Sequence, residues 1–245
     1  NTIDGSKKIL AGTGEEGFSG DNGLAIEAQL SSPIGIAVTK NGIGLLSNIY
    51  VADTNNHRIR LITPNGIIQT IAGNGTHGSF GDHGSASIAQ LNKPTFLAYR
   101  KSIIGNMMLT PHELFIADTG NHKVRRIRLE DMEIDTVAGT GNPGFSGDGG
   151  AAVSASLNNP TGLAFDPEGN LYISDTNNHR IRRVDTDGVI TTVAGTGENN
   201  YSGDHRNARE AELFLPTGMV WYRGVLYISE FGSNKVRILR QYMKK

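Results

Sequence analysis

The sequence predicts an all-β protein: a β-propeller of four four-stranded antiparallel blades. Three strings recur in the same order four times along the 245 residues, at a period of 55 to 66 residues. One is Ala-Gly-x-Gly followed by Gly-Asp, at residues 11–21, 72–82, 138–148 and 194–204. The second is a short apolar run ending in an acid, at 49–53, 114–118, 171–175 and 226–230, and the third begins at Pro33, Pro94, Pro160 and Pro216. Such repetition is typical of propellers and solenoids.

Each repeat is predicted to contain four short strands. In the first repeat they cover 34–38, 49–52, 58–62 and 67–72, separated by turn formers such as Asn41-Gly42. The connections are mostly too short for helical crossovers, which indicates an antiparallel meander. The second strand is apolar on both sides, so both faces of each sheet are expected to be covered, as in propeller blades and unlike the wet face of a sandwich.

The N-terminal strand is expected to close the last blade. Residues 4–11 match the fourth-strand segment 187–194 in register, and the chain ends just after the third strand of the fourth repeat. We therefore expect one domain over 1–245, with blades at about 33–73, 94–139, 160–195 and 216–240, the last completed by residues 4–11. The alternative is a fragment, or half of a larger ring whose N-terminal strand pairs with another chain.

Three segments, 53–60, 118–125 and 175–182, closely resemble the signature of NHL-repeat propellers. The glycine-rich segments resemble the variant of bacterial and large extracellular NHL proteins. The fourth copy departs from the pattern, because residues 230–235 lack both the Asp and the His. The resemblance implies RNA-binding, protein-binding or extracellular scaffold modules, and a few related enzymes such as a metal-dependent peptide-amidating lyase. It does not choose among them.

The repeated polar residues are interpreted first as structural. The meander places the turns after strand two and the glycine-rich loops on one face of the ring. The signature residues there are Asp53, His57, Asp118, His122, Asp175 and His179. Their histidines could form a zinc ring, but copies in adjacent blades should lie well over ~10 Å apart, beyond the reach of one ion's ligands. We expect these side chains to hydrogen-bond their turns.

Two more sets of repeated residues have both a functional and a structural interpretation. The acids Asp21, Asp82, Asp148 and Asp204 could bind calcium, but are expected to organise their own loops. The arginines Arg60, Arg125, Arg182 and Arg237 could form an RNA-binding stripe, but are expected to line a solvated strand face. No paired catalytic set stands out, so we expect no cofactor, with Ca²⁺ or Zn²⁺ as the alternative.

Departures from the repeat are better candidates for partner contact. The second repeat carries an apolar insertion, and the fourth has an altered loop. The candidate contacts are Ile103, Ile104, Met107, Met108, Tyr201, Arg206 and Arg209. Two sequons offer glycosylation sites at Asn74 and Asn200.

Composition narrows the function further. Lys plus Arg is 23 against 24 for Asp plus Glu, which argues against a nucleic-acid partner, and there is no cysteine for disulfides or thiol chemistry. No apolar stretch is long enough to span a membrane. We expect an extracellular, non-catalytic scaffold that binds a protein, a glycan or itself through the face of the glycine-rich loops and the second-repeat insertion. A metal-dependent enzyme using the axial mouth and an RNA-binding propeller are the alternatives.

Overall fold

A computed structural model of the protein describes residues 8–39, 47–101 and 112–240. These ranges contain sixteen strands in four sheets and short 3-10 turns of three residues each. None of the helical segments in these ranges is long or apolar enough to cross a bilayer. The all-β, four-bladed propeller predicted from the repeats is therefore confirmed.

Each blade is an antiparallel meander whose strands pair in chain order. Blade 1 holds β1 (Pro33–Val38), β2 (Ile49–Asp53), β3 (Arg58–Ile62) and β4 (Ile68–Ala72). Blade 2 holds β6 (Pro94–Lys101), β7 (His112–Asp118), β8 (Lys123–Arg128) and β9 (Glu133–Ala138), with the two-residue strand β5 (Gly84–Ser85) on its outer edge. Blade 3 holds β10 (Pro160–Phe165), β11 (Leu171–Asp175), β12 (Arg180–Val184) and β13 (Ile190–Ala194), and blade 4 holds β14 (Pro216–Tyr222), β15 (Val225–Glu230) and β16 (Lys235–Arg240).

The hydrophobic core lies between successive blades. Inner strand β1 packs on β6, β6 on β10, and β10 on β14. In blades 2 and 3, an aromatic residue of the second strand packs on an aromatic residue of the next blade. Phe115 meets Phe165 edge-on with ring centroids 4.8 Å apart, and Tyr172 stacks on Trp221 at 5.2 Å. Burying such side chains stabilises the blade-to-blade contact.

A hydroxyl hydrogen bond also joins each blade to the next one. Thr54 Oγ1 donates to the Pro94 carbonyl at 2.8 Å, and Thr119 Oγ1 donates to the Pro160 carbonyl at 2.7 Å. Thr176 repeats the contact on blade 4. Since the prolines begin the inner strands, these bonds fix the position of each inner strand around the axis.

The end of the ring differs from the prediction in the described residues. Within the described ranges, the sheet of blade 4 has three strands. Residues 8–11, part of the expected closing strand, pair with no strand. Instead, the amides of Gly12 and Thr13 donate to the carbonyls of Ala25 and Ala28, which holds this segment beside blade 1. Strands β14 and β1, both fully described, do not pack together as the other neighbouring inner strands do. Residues 4–7 of the expected strand lie outside the described ranges.

We expect Gly162→Ala to destabilise the protein by about 3 kcal/mol, because a Cβ there would overlap the Thr217 carbonyl oxygen of the next blade. The matched control is Gly150→Ala, whose added Cβ would lie 3.4 Å from the Gly147 carbonyl, an ordinary contact. Urea unfolding of both variants measures the difference. Equal midpoints would contradict close packing of the inner strands.

Candidate binding face

The turns after the second strands and the glycine-rich loops share one face of the propeller, which we name the loop face. The side-chain amide of Asn56 donates to the Gly17 carbonyl at 2.7 Å. Asn121 makes the same contact to Gly78 at 2.6 Å, and Asn178 repeats it in blade 3. The loops are therefore tied to the turns directly, as the meander geometry predicts.

A fully buried arginine stands under each of the first three glycine-rich loops. Arg60 is bound by Asp21 of the loop at 2.9 Å and by Asp53 of the turn at 3.1 Å. Its second terminal nitrogen also donates to the Ser19 carbonyl at 3.0 Å. The corresponding pairs are Arg125 with Asp82 and Asp118, Arg182 with Asp148 and Asp175, and Arg237 with Asp204 and Glu230.

The interpretation of these arginines as a solvated stripe is therefore wrong. Arg60, Arg125 and Arg182 have no exposed surface, because the loops fold over the third strands. An RNA phosphate could reach them only if the loops opened and their ion pairs broke. The loop acids also bridge to these arginines, and so do more than organise their own loops.

The turn carboxylates are saturated by donors. Asp118 Oδ1 accepts from the Asn92 amide at 2.7 Å, and Oδ2 accepts from the Asn121 side chain at 2.7 Å. Burial raises the pKa of Asp118 to about 6 and also raises the pKa of Asp175, while these donors and the arginines oppose the shift. Asp118 lies farther from its arginine, 3.6 Å, than Asp175 does, 3.2 Å. These oxygens are therefore engaged within the fold.

The three signature histidines join neighbouring blades. The Nδ1 atom of His57 accepts from the Lys93 amide at 3.0 Å, His122 accepts from Asn159 at 3.1 Å, and His179 accepts from Leu215 at 3.2 Å. Each donor belongs to the residue before the next inner strand. Burial lowers the pKa of all three imidazoles, which favours the neutral form that this bond requires. Their Nδ1 atoms are thus occupied by backbone donors.

One group of possible metal ligands occurs within the described ranges: His83, Glu133 and Asp135, with ligand atoms within 4.8 Å of one another. Both carboxylates are already in ion pairs. Asp135 contacts Arg126 at 3.2 Å and Arg128 at 3.3 Å, and Glu133 contacts Arg128 at 2.6 Å. Two guanidinium groups beside the carboxylates balance their charge, so this group is better explained as a surface ion network.

The aromatic residues of the glycine-rich loops lie on the loop face, and three of the four are covered by a cation. Arg58 lies 3.7 Å above the ring of Phe18, Arg180 lies 3.8 Å above Phe145, and Lys235 lies 2.9 Å from the ring centre of Tyr201. No cation of the described ranges covers Phe80, which is 74% exposed. The second loop reads Gly-Ser-Phe-Gly-Asp where loops 1 and 3 read Gly-Phe-Ser-Gly-Asp. Sequence reasoning missed Phe80, although this inversion is visible in the sequence.

The partner contacts predicted from the sequence fall in the fourth loop and in the second-repeat insertion. Arg206 and Arg209 are exposed around the 3-10 turn Ala208–Glu210, and Tyr201 donates to Asp204 in the same loop. Asn74 and Asn200 are both exposed, although the amide of Asn74 is engaged with Thr76 and Ile88. The insertion residues Ile103, Ile104, Met107 and Met108 lie outside the described ranges.

A cleft of about 620 Å³ opens between blades 1 and 2, on the side opposite the loop face. Tyr50, Tyr99 and His112 line it, and the Tyr99 hydroxyl is hydrogen-bonded to Nδ1 of His112. Burial raises the pKa of both tyrosines, so their hydroxyls stay protonated near neutrality. The cleft can accept a small polar molecule, which the Tyr99 hydroxyl and His112 could hydrogen-bond.

We expect the triple variant H57N/H122N/H179N to lose stability at pH 7 by roughly 1 kcal/mol per lost hydrogen bond. Asparagine suits the backbone, since Asn234 occupies this position in blade 4 with φ 55°, beside φ 54° at the histidines. A lowered native pKa makes the histidine contribution complete above the unfolded value of about 6.5 and lost as pH falls below it. The variant's stability should therefore fall less than the wild type's between pH 7 and 5.

Urea unfolding at each pH checks this, with His205→Asn as the control because His205 is exposed and also has a positive φ. Asp118, whose raised pKa acts with the opposite sign, is present in every protein compared, so the difference isolates the histidines. Parallel pH profiles of the wild type and the triple variant would contradict the prediction.

Comparison with known proteins places these features in a family. The chain is similar to Teneurin-4 of Mus musculus, 30% identical over 96% of this chain, and to Teneurin-3 of Mus musculus, 32% identical over 94%. It spans only 9% of the length of these relatives. An auxiliary nutrient binding protein of Bacteroides thetaiotaomicron shares the fold, with a TM-score of 0.59 at 17% identity over 91% of this chain and 54% of the other. The sequence profile of the Teneurin NHL domain matches residues 4–98 and 106–202, and the chain belongs to that family.

Proposed function

We propose that the protein is an extracellular, non-catalytic module that binds a protein partner through the loop face, with Phe80 as the apolar anchor. The observation that carries the proposal is the exposure of this phenylalanine on a loop that is held by backbone hydrogen bonds and by the ion pair of Asp82 with Arg125. An exposed aromatic on an ordered surface loses little side-chain entropy on binding and buries a large area. Such residues dominate protein–protein interfaces.

The surroundings of Phe80 support a preformed site. The Phe80 carbonyl accepts from the Gln90 amide at 2.9 Å, and the Gly84 amide donates to the Gly81 carbonyl at 3.2 Å. Asp82, two residues after Phe80, forms an ion pair with Arg125 at 2.9 Å. Because the backbone is fixed on both sides of the ring, the side chain is presented without ordering a loop first, which lowers the cost of association.

The family match fits a binding module. A protein partner is favoured over a glycan because the features around Phe80 are apolar and cationic. The rings of His77 and His57 have centroids 6.0 Å apart. The backbone amide of Lys93 donates to His57. The Lys123 side chain reaches Gly141 of the third glycine-rich loop. An apolar anchor with basic neighbours is complementary to an acidic, apolar protein segment.

Exchanging two neighbours tests the proposal: Ser79→Phe with Phe80→Ser restores the order found in loops 1 and 3 while keeping the composition. The new phenylalanine should lie under Lys123, as Phe18 lies under Arg58. We expect the double variant to fold normally and to lose partner binding by at least about tenfold. The measurement is titration of wild type and variant against a panel of purified extracellular protein domains and against a glycan array.

The matched control is Phe18→Ser, which removes a covered aromatic and should leave partner binding within about twofold. Loss of protein binding in the exchanged variant alone supports the anchor. Binding confined to glycans would replace the protein partner with a carbohydrate one. Protein binding that survives the exchange would place the contact elsewhere.

A further inference from the structure

The cleft between blades 1 and 2 lies where the next two seams between blades hold a pair of aromatic side chains. Those pairs join a second-strand residue to the last aromatic of the following inner strand: Phe115 with Phe165, and Tyr172 with Trp221. Strand register puts Tyr50 and Tyr99 at the same two positions of the first seam. Both tyrosines line the cleft of about 620 Å³. The first seam thus has an opening beside its two rings.

In the second seam, an ion pair covers the rings. The guanidinium carbon of Arg100 lies 5.0 Å from the ring centres of both Phe115 and Phe165. Glu113 holds this guanidinium at 2.6 Å. The aromatic pair between blades 2 and 3 is therefore covered by a cation that has its own counter-ion.

A second ion pair stands beside the first one. Arg126 is the cross-strand neighbour of Phe115, and it pairs with Glu113 and Asp135, both at 3.2 Å. Blade 1 has uncharged residues at the positions equivalent to these four charged ones: Thr39, Asn48, Leu61 and Gln69. All four line the cleft. The cleft therefore occurs where blade 1 lacks the charged side chains that cover the rings in blade 2.

The walls of the cleft combine apolar surface with hydrogen-bonding groups. The apolar lining consists of aliphatic and thioether side chains: Leu61, Ile71, Leu129 and Met132. The Tyr99 hydroxyl is hydrogen-bonded to Nδ1 of His112, which leaves Nε2 of the imidazole for another partner. Burial raises the pKa of Tyr50 and Tyr99, so both hydroxyls keep their protons at neutral pH and can donate.

The charge of the walls favours an uncharged ligand. No lysine or arginine occurs among the lining residues that the structure describes, and Glu130 is the acid among them. A phosphate, sulfate or carboxylate would lose its hydration there without a cation to pair with. Glu130 is exposed and accepts from the amide of His112, and one exposed carboxylate binds a cation only weakly.

We propose that this cleft binds a neutral, planar aromatic molecule that carries a hydroxyl group. Its ring packs against Tyr50 and Tyr99, in the seam position where blades 2 and 3 place an aromatic pair. Its hydroxyl bonds to the Tyr99 hydroxyl or to His112. The volume lies in the range of about 300–1,000 Å³ that is usual for small-molecule sites. A saccharide has the hydroxyl groups but no aromatic face for the two tyrosines and the apolar lining.

Isothermal titration calorimetry of the full chain with three probes tests the proposal. 2-Naphthol, neutral at neutral pH, should bind saturably, one molecule per chain. 2-Naphthoate has the same rings with a carboxylate, and it should bind at least about tenfold more weakly because its charge has no partner in the cleft. Methyl glucoside should not displace 2-naphthol. This comparison uses the wild type alone.

Two variants that copy blade 2 into blade 1 locate the site. Thr39→Arg with Asn48→Glu supplies the counterpart of the Arg100–Glu113 pair, and Leu61→Arg with Gln69→Asp supplies that of Arg126–Asp135. Each double variant should weaken 2-naphthol binding at least about tenfold, because the new side chains fill the cleft. The control is Thr191→Asp, at the position of Gln69 in blade 3 and beside Arg183, which should leave binding within about twofold.

Circular dichroism of each variant shows whether it is folded. Absence of 2-naphthol binding to the wild type would overturn the proposal, and so would binding that persists in a folded variant of either kind. Equal affinities for 2-naphthol and 2-naphthoate would contradict the selection against charge. Displacement of 2-naphthol by methyl glucoside would replace the aromatic ligand with a carbohydrate.

Discussion

The buried arginine of each third strand is the interaction on which the loop face depends. In blade 1 the guanidinium of Arg60 joins the loop carboxylate of Asp21 and the turn carboxylate of Asp53, and the residue has no exposed surface. A guanidinium without partners would cost several kcal/mol to bury, so all its partners are needed at once. A single charged group therefore joins the third strand, the turn and the loop of the blade.

The glycine-rich composition of the loops follows from this requirement. To bring its aspartate and a carbonyl onto the guanidinium, the loop must pass very close to the small residues before the next inner strand. A Cβ on Gly20 would lie 2.7 Å from Ala28, and one on Gly147 would lie 2.7 Å from Ala155. Glycine against alanine is the pairing that allows this approach at both places. The Ala-Gly-x-Gly and Gly-Asp strings thus recur because each loop must pack closely enough for its aspartate to reach the buried arginine.

The fold could be predicted from the sequence because every element occurs several times, and errors in one copy are corrected by the others. The site could not be predicted equally well. A strand pattern such as Arg58-Ile59-Arg60 shows which side chains share a face, but it cannot show that a distant loop folds over that face. This is why Arg60 was expected in solvent. The placement of residues 8–11 was also beyond the pattern, because register identifies a strand type without saying which blade receives it.

The departures in blade 4 separate two roles that coincide in the other blades. Contacts internal to the blade are kept: Glu230 replaces aspartate, still accepts from the Phe214 amide at 3.1 Å, and still pairs with Arg237 at 3.3 Å. Contacts that hold a following blade are changed, with Phe231 for threonine and Asn234 for histidine. The pairing of Arg237 with Glu230 is therefore independent of the contacts that join one blade to the next, because it persists in the blade where both of those residues are replaced.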